Sequence, residues 1–175
     1  MSLLLDISRL AASHGLPFLL IGGHAVISHG FQRSTFDLDL MILHKDQEKW
    51  VFLLKELGQE KVSEGPTFLQ FKSVTPDTMP VDLMLANETT FEKLSAESIR
   101  PLDDERTLRI VSLEHLVALK CHAIKFGHAG RVEKDVDDLI GLGKANNLNW
   151  SEGRWREIIL KHGSKELHEK LQRSR

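Results

Sequence analysis

The chain has 175 residues, which at about 150 residues per domain predicts one compact domain with room for a small helical appendage. Its 23 Lys and Arg residues nearly balance 25 Asp and Glu, and the net charge of −2 gives the whole chain no preference for nucleic acids or membranes. The longest mainly apolar stretches are too short and too polar to span a bilayer, and the single cysteine, Cys121, excludes an internal disulfide. Together with an opening segment that carries no basic leader, these features predict a cytoplasmic protein.

Apolar spacing in the first two thirds of the chain predicts helices that alternate with short strands. Apolar residues repeated every three to four positions indicate helices, whereas short apolar or alternating runs bounded by turn residues indicate strands. A charge-rich loop is expected up to about 106. The predicted elements are a helix from Leu3 that stops before Pro17, strands over 17–21, 35–43, 68–74, 80–86 and 107–111, helices over 24–30 and 45–57, and a turn at Pro76-Asp77.

The last third of the chain is helical by its period. Ser112 is a predicted helix cap, and the helix that follows reaches about Phe126 before glycines interrupt it. Three more helices are expected over 132–146, 152–162 and 164–174. Strands that precede a run of helices predict an α/β (α+β) core with a C-terminal helical segment.

The stretch from Leu20 to Ile42 concentrates the residues suited to chemistry. A strand that ends in Gly22-Gly23 and passes directly into a helix brings backbone amides and a helix N-terminus to one point. Such a point is an anion site suited to a phosphate chain. An ordinary tight turn is the commoner outcome for a glycine pair considered alone.

Three aspartates on predicted strands form a candidate metal centre. Asp37 and Asp39 are two residues apart, so on a strand both carboxylates project from one face while Phe36, Leu38 and Leu40 point into the core. Asp82, flanked by apolar residues on a later strand, completes a three-carboxylate centre if it faces the same cleft. Oxygen ligands that leave positions open for substrate phosphates suit Mg²⁺. The alternative is a pair of exposed strand faces with polar residues pointing outward.

The order of these motifs resembles that of the nucleotidyltransferase superfamily with the DNA polymerase β palm-like fold. Members typically show a glycine turn, an acid-x-acid strand and a third acid on a later strand. The finer string G-G-H-A followed by R-S-T-F-D-L-D is similar to the AbiEii-type abortive-infection toxins, through Arg33 and Thr35. The resemblance implies a nucleotidyltransferase-type mixed β-sheet flanked by helices, which forms a catalytic core over 1–111. It also implies that the helical segment, 112–175, packs on this core.

The resemblance extends into the helical region, where Lys120 is followed ten residues later by the string G-R-V-E-K-D-V-D-D-L at 130–139. It implies that Lys120 contacts the triphosphate and that Asp135 lies in the cleft or orients that lysine. His24 either donates a hydrogen bond where many members use a serine or is a packing residue. The implied catalytic residues are Asp37, Asp39, Asp82, Lys120 and Asp135, the first three also being metal ligands, and the implied nucleotide-binding residues are Gly22, Gly23, His24, Arg33, Thr35, Arg131 and Lys134.

The implied activity is Mg²⁺- or Mn²⁺-dependent transfer of a nucleoside monophosphate from an NTP to an acceptor hydroxyl. A toxin-like member would act on tRNA or a protein and could have an antitoxin partner. Two alternatives stay open: the same chemistry on a small molecule such as an antibiotic, and a nucleotide-binding module without turnover. Seven basic against four acidic residues over 151–175 could attract tRNA, although such an excess is more often a solvated helix face.

Overall fold

The computed structural model describes residues 3–75, 78–101, 108–127 and 129–174. It confirms the predicted fold class, a mixed β-sheet flanked by helices with a helical C-terminal segment. Across these described ranges, every helix is too short or too polar to cross a bilayer. The helices are α1 (Leu3–Ser13), α2 (Gly22–Ser28), α3 (Gln47–Glu56), α4 (Glu88–Ala96), α5 (Leu113–Phe126), α6 (Ala129–Ala145), α7 (Gly153–His162) and α8 (Lys165–Arg173).

The five strands form one sheet in the order β1-β2-β5-β4-β3. The neighbours β2 and β5 run parallel, and the other three pairs are antiparallel. Parallel neighbours require a crossover, which here passes through α3, β3 and β4. The strands are β1 (Phe18–Leu20), β2 (Leu38–Leu43), β3 (Gln59–Gly65), β4 (Phe68–Ser73) and β5 (Val81–Ala86).

One face of the sheet is apolar and is covered by helix. Alternate residues of the strands, including Leu40 and Leu83, are buried, since every second side chain of a strand points to the same face. Helix α3 packs on this face through Trp50, whose ring meets Phe18 edge-on at 5.6 Å between centroids. The predicted amphipathic helix over 45–57 is therefore confirmed, with Trp50 and its apolar neighbours buried.

The chain divides into two compact units. The first contains Met1–Ala25 and Ser34–Val111, and the second contains Val26–Arg33 and Ser112–Arg175. In the second unit, α5 to α8 enclose a core in which Trp150 and Trp155 stack edge-on at 6.0 Å. Residues 26–33 belong with these helices because Phe31 lies directly over Gly141 of α6. The predicted packing of 112–175 on the catalytic core stays a prediction.

Two elements of the structure contradict or escape the sequence pattern. The charge-rich segment predicted as a loop contains α4, which Asn87 caps by accepting a hydrogen bond from the Thr90 amide at 2.8 Å. Strand β3 was not predicted because it is an edge strand with five exposed residues, so no alternation marks it. Such a strand owes its existence to hydrogen bonding with β4.

Three further predictions about the strands need adjustment. The described part of the predicted strand over 107–111 forms only isolated bridges, through Ile110. Strand β2 begins at Leu38, so Asp37 precedes it, and Phe36 is 79% exposed instead of pointing into the core. The glycine pair is already inside α2, which ends at Ser28. The predicted turn at Pro76-Asp77 lies outside the described residues.

Candidate active site

Three carboxylates converge beside the parallel strand pair of the first unit. Asp39 and Asp82 lie opposite each other in the register of β2 and β5. One carboxylate oxygen from each of Asp37, Asp39 and Asp82 lies within 4.8 Å of the other two, and all three residues are half-buried. The structure thus brings together the three acids that the motif order singled out, which lie up to 45 residues apart along the chain.

Two polar side chains contact members of this carboxylate cluster, one at Asp37 and the other at Asp82. The Thr35 hydroxyl donates a hydrogen bond to Asp37 Oδ1 at 2.9 Å. The Gln70 amide, on β4 opposite Asp82, donates to both oxygens of that carboxylate at 3.3 Å. Sequence reasoning placed Thr35 among the nucleotide-binding residues and missed Gln70, since the pairing of β4 with β5 could not be read from the sequence. Both contacts restrict the rotation of a carboxylate and so help to preorganise the site.

The glycine pair lies directly against the third member, Asp39. Gly22 has a φ of +59°, and a Cβ built on it would be 1.9 Å from Asp39 Oδ2. The backbone amide of Gly23 donates to the same oxygen at 3.3 Å. Only glycine combines this backbone conformation with such close approach. The predicted role of the pair in phosphate binding stays a prediction, whereas its contact with Asp39 is a feature of the structure.

The residues of the cluster fit a hard divalent cation. All the donors are carboxylate oxygens, the ligands that Mg²⁺ and Mn²⁺ prefer. Three like charges held this close repel one another, and a cation among them offsets that repulsion. The half-buried position leaves access for a substrate.

A second group of charges, in the second unit, pairs cations with anions. Lys120 Nζ on α5 contacts Asp135 Oδ1 at 2.6 Å and Asp138 Oδ2 at 2.7 Å. Arg33 donates to both oxygens of Asp138, from Nε at 2.6 Å and from Nη2 at 2.9 Å. Asp135 and Asp138 are one turn apart on α6, so their side chains share a helix face. We refer to Arg33, Lys120, Asp135 and Asp138 as the ion-pair cluster.

Three of the four members of the ion-pair cluster are buried. Lys120 and Asp135 are each 8% exposed, and Asp138 is fully buried. Although desolvation by burial acts to lower it, the carboxylates of Asp135 and Asp138 raise the pKa of Lys120 above its ordinary value. Asp138 was missed as a site residue, yet its spacing of three from Asp135 was the signal that could have identified it.

The remaining predicted nucleotide-binding residues are distributed as follows. His24 is half-buried in α2, and Lys134 is exposed on α6. The side chain of Arg131 lies outside the described part of the structure. Their roles, together with those of Lys120, Asp135 and Arg33, stay predictions.

Comparison with known proteins identifies the fold. No protein-family model matches the chain, and no curated protein sequence matches it. The lincosamide antibiotic adenylyltransferase LnuA, solved with lincomycin bound, aligns with a TM-score of 0.61 at 17% identity, over 81% of this chain and 95% of that one. A nucleotidyltransferase-like antigenic protein from Paracoccidioides brasiliensis aligns with a TM-score of 0.56 at 15% identity, over 97% of this chain and 89% of that one.

The antibiotic-resistance factor ANT(2'')-Ia aligns with a TM-score of 0.54 at 16% identity, over 98% of this chain and 88% of that one. The finer resemblance to AbiEii-type toxins stays a prediction. At these levels of sequence identity a structural likeness identifies the architecture. The chain therefore has the fold of the nucleotidyltransferases.

Proposed function

We propose that the protein is a divalent-metal-dependent nucleotidyltransferase, which moves a nucleoside monophosphate from an NTP to the hydroxyl of an acceptor. The observation that supports this most directly is the convergence of Asp37, Asp39 and Asp82 within 4.8 Å on the sheet of a nucleotidyltransferase fold. A binding module without turnover would not need three acids together, because their mutual repulsion costs stability.

Each acid has a proposed task in the reaction. Asp37, Asp39 and Asp82 would hold Mg²⁺ or Mn²⁺, which when bound neutralises developing charge on the triphosphate. Asp82 also accepts the proton of the acceptor hydroxyl, and Gln70 keeps its carboxylate oriented for that transfer. The acceptor oxygen forms a bond to the α-phosphorus, the bond between that phosphorus and the bridging oxygen breaks, and pyrophosphate leaves. Thr35 and Gly23 hold the other two carboxylates in place.

The acceptor divides the proposal into two classes. A toxin-like enzyme would modify tRNA or a protein and could be held inactive by an antitoxin. An antibiotic-type enzyme would modify a small hydroxylated molecule, as the names of LnuA and ANT(2'')-Ia indicate for those proteins. The resemblance at Lys120 and Lys134-Asp135 favours the first class, whereas the surface beside Asp82 described below favours the second.

The test is transfer of label from each of the four α-labelled NTPs in the presence of Mg²⁺ or Mn²⁺. The acceptors offered are total tRNA, the protein itself, lincomycin and tobramycin. Wild type is compared with Asp39→Asn, which removes a charge at nearly constant shape, and with Asp6→Asn, a matched control on α1. We expect Asp39→Asn to lose more than about a hundredfold in rate, since one group that stabilises transition-state charge contributes ~10²–10³.

Two results would contradict the proposal. Full activity in Asp39→Asn would refute the metal assignment. An absence of NTP binding by the wild-type protein, measured by calorimetry with Mg²⁺ present, would refute the activity itself.

A further inference from the structure

The sheet face that carries the acids continues into an exposed surface on β4 and β5. Met84 lies two residues after Asp82 and therefore on the same face of β5. Phe68 lies directly opposite Met84 in the register of β4, and Gln70 lies opposite Asp82. Phe68 is 41% exposed and Met84 is 38% exposed, although both are large and apolar. Phe68, Gln70 and Met84 together are called the β4–β5 surface below.

The ring of Phe68 lies close to the backbone of the neighbouring strand. Gly65 is its partner in the register of β3, and a Cβ built on Gly65 would be 2.3 Å from the Phe68 ring. Because Gly65 has no side chain, the ring can lie against the backbone of β3. Gly65 has no positive φ, so its backbone conformation does not require glycine. The position of the ring therefore explains the glycine.

The charges around the β4–β5 surface disfavour an anionic occupant. Gln70 is uncharged, and Lys72, the next residue of β4 on this face, lies opposite Glu60 in β3. The described strands therefore give this surface no net positive charge for a phosphate backbone. The three carboxylates at its border outnumber the two charges of one bound divalent cation, so the border gives a polyanion no net electrostatic attraction.

We propose that the β4–β5 surface binds the acceptor of the proposed nucleotidyl transfer, and that this acceptor is a small hydroxylated molecule with an apolar face and no phosphate groups. The inference rests on the proposed function and specifies its substrate class. Two residues of a strand span about 7 Å, so a molecule lying on Phe68 and Met84 places a hydroxyl within reach of Asp82. Gln70 lies opposite Asp82, and while its amide nitrogen donates to that carboxylate, its amide oxygen can orient polar groups of the same molecule.

Binding can be tested without turnover by labelling the methionine methyl groups with ¹³C for NMR. The chain has four methionines, and the Met84→Leu variant identifies the Met84 signal. Lincomycin, a hydroxylated molecule with an apolar chain, is titrated into the full-length protein with Mg²⁺, and total tRNA is titrated in parallel. We expect lincomycin at millimolar concentration to shift the Met84 signal more than that of Met41, which is buried and lies opposite Met84 in β2. No Met84 shift with lincomycin, or a shift with tRNA in its place, would overturn the proposal.

Two variants test whether the shift of the Met84 signal reports binding at the β4–β5 surface. Phe68→Ala removes the ring, and Gly65→Ala displaces it by adding one methyl group. We expect each variant to weaken lincomycin binding at least tenfold while leaving NTP binding unchanged. Phe52→Ala is the matched control, since Phe52 is a 62% exposed phenylalanine on α3. Equal binding by Phe68→Ala and wild type would overturn the proposal.

The two proposals fail in different ways. If lincomycin shifts Met84 but no NTP binds, the surface is supported and the transferase activity is refuted. If labelled nucleotide is transferred to tRNA and Phe68→Ala leaves the KM for tRNA unchanged, the activity is supported and the acceptor surface is refuted. If label is transferred to lincomycin and Phe68→Ala raises only the lincomycin KM, both are supported.

Discussion

The three-carboxylate cluster and the ion-pair cluster differ in the signs of the charges that they bring together. The cluster of Asp37, Asp39 and Asp82 holds three like charges within 4.8 Å. The ion-pair cluster holds two cations against two carboxylates at 2.6 to 2.9 Å, with Asp138 fully buried. Opposite charges at these distances stabilise each other inside the protein. Like charges repel and so raise the free energy of the folded state unless a cation binds between them. The first arrangement is typical of binding, and the second of structure.

The strongest test of this difference is Asp138→Ala. It removes the carboxylate that Arg33 and Lys120 share, and leaving a buried charge without its partner costs about 3–5 kcal/mol. We expect urea unfolding to show a loss of that size. Asp137→Ala, at the exposed neighbouring position of α6, should change the free energy of unfolding by less than ~0.5 kcal/mol. Equal losses in the two variants would show that the ion pairs do not stabilise the fold.

Lys120→Met should have a smaller effect of the same sign. Asp138 keeps both hydrogen bonds from Arg33, so mainly Asp135 loses its cation. Hydrogen bonds to charged groups contribute about 1.5–3 kcal/mol, and we expect a loss in this range. The double variant Lys120→Met, Asp135→Leu should recover at least half of it, because both charges are then removed. If the double variant is less stable than the single one, the pair is not the cause.

Asp39→Asn should change stability in the opposite direction. It relieves like-charge repulsion while an amide oxygen can still accept the Gly23 hydrogen bond. Without divalent metal we expect a gain of about 1 kcal/mol, which for a chain of this size raises Tm by about 2–4 °C. Added Mg²⁺ should raise the Tm of the wild type and not that of the variant, since a ligand stabilises only the protein that binds it.

Asp6→Asn is the control for this measurement and should leave both the Tm and its response to Mg²⁺ unchanged. A decrease of Tm in metal-free Asp39→Asn would mean that the three acids do not repel one another in the folded protein. The contrast with the ion-pair cluster would then disappear.

The smallest expected effect is the pH dependence of the ion-pair cluster. The pKa of Lys120 is raised above its ordinary value of 10.5, so its contribution is complete below that value and is lost as pH rises through the higher folded-state pKa. The difference in Tm between wild type and Lys120→Met should therefore stay constant from about pH 7 to 9. A difference that shrinks within this range would show that the lysine loses its proton early.

The sequence predicted the parts of the fold that carry a period or a spacing. Amphipathic helices such as α3 and the apolar strands β2 and β5 bury residues at regular intervals, and the structure confirms them. Strand β3 is polar and exists through its pairing with β4, which is a tertiary effect. Helix α4 is marked only by its cap at Asn87, a short signal within a charged segment.

The same distinction applies to the candidate site. Asp37 and Asp39 could be selected by their spacing of two residues. Asp82 could be selected because an acid flanked by apolar strand residues is costly to bury. Gln70 could not be selected from the sequence, because its contact with Asp82 depends on the register between β4 and β5. Asp138 could not be assigned its position between two cations, because Arg33 is 105 residues away along the chain.

Because β2 pairs in parallel with β5, Asp82 joins the other two aspartates late in the synthesis of the chain. Antiparallel strands can be joined by a tight turn, whereas the parallel strands β2 and β5 need a crossover. The ribosome therefore synthesises α3, β3 and β4 before β5 can pair with β2. A nascent chain on the ribosome thus carries Asp37 and Asp39 well before Asp82 has emerged. The full set of three ligands exists only after β5 has paired with β2, so a chain that has not yet reached β5 cannot offer the complete site to metal or nucleotide.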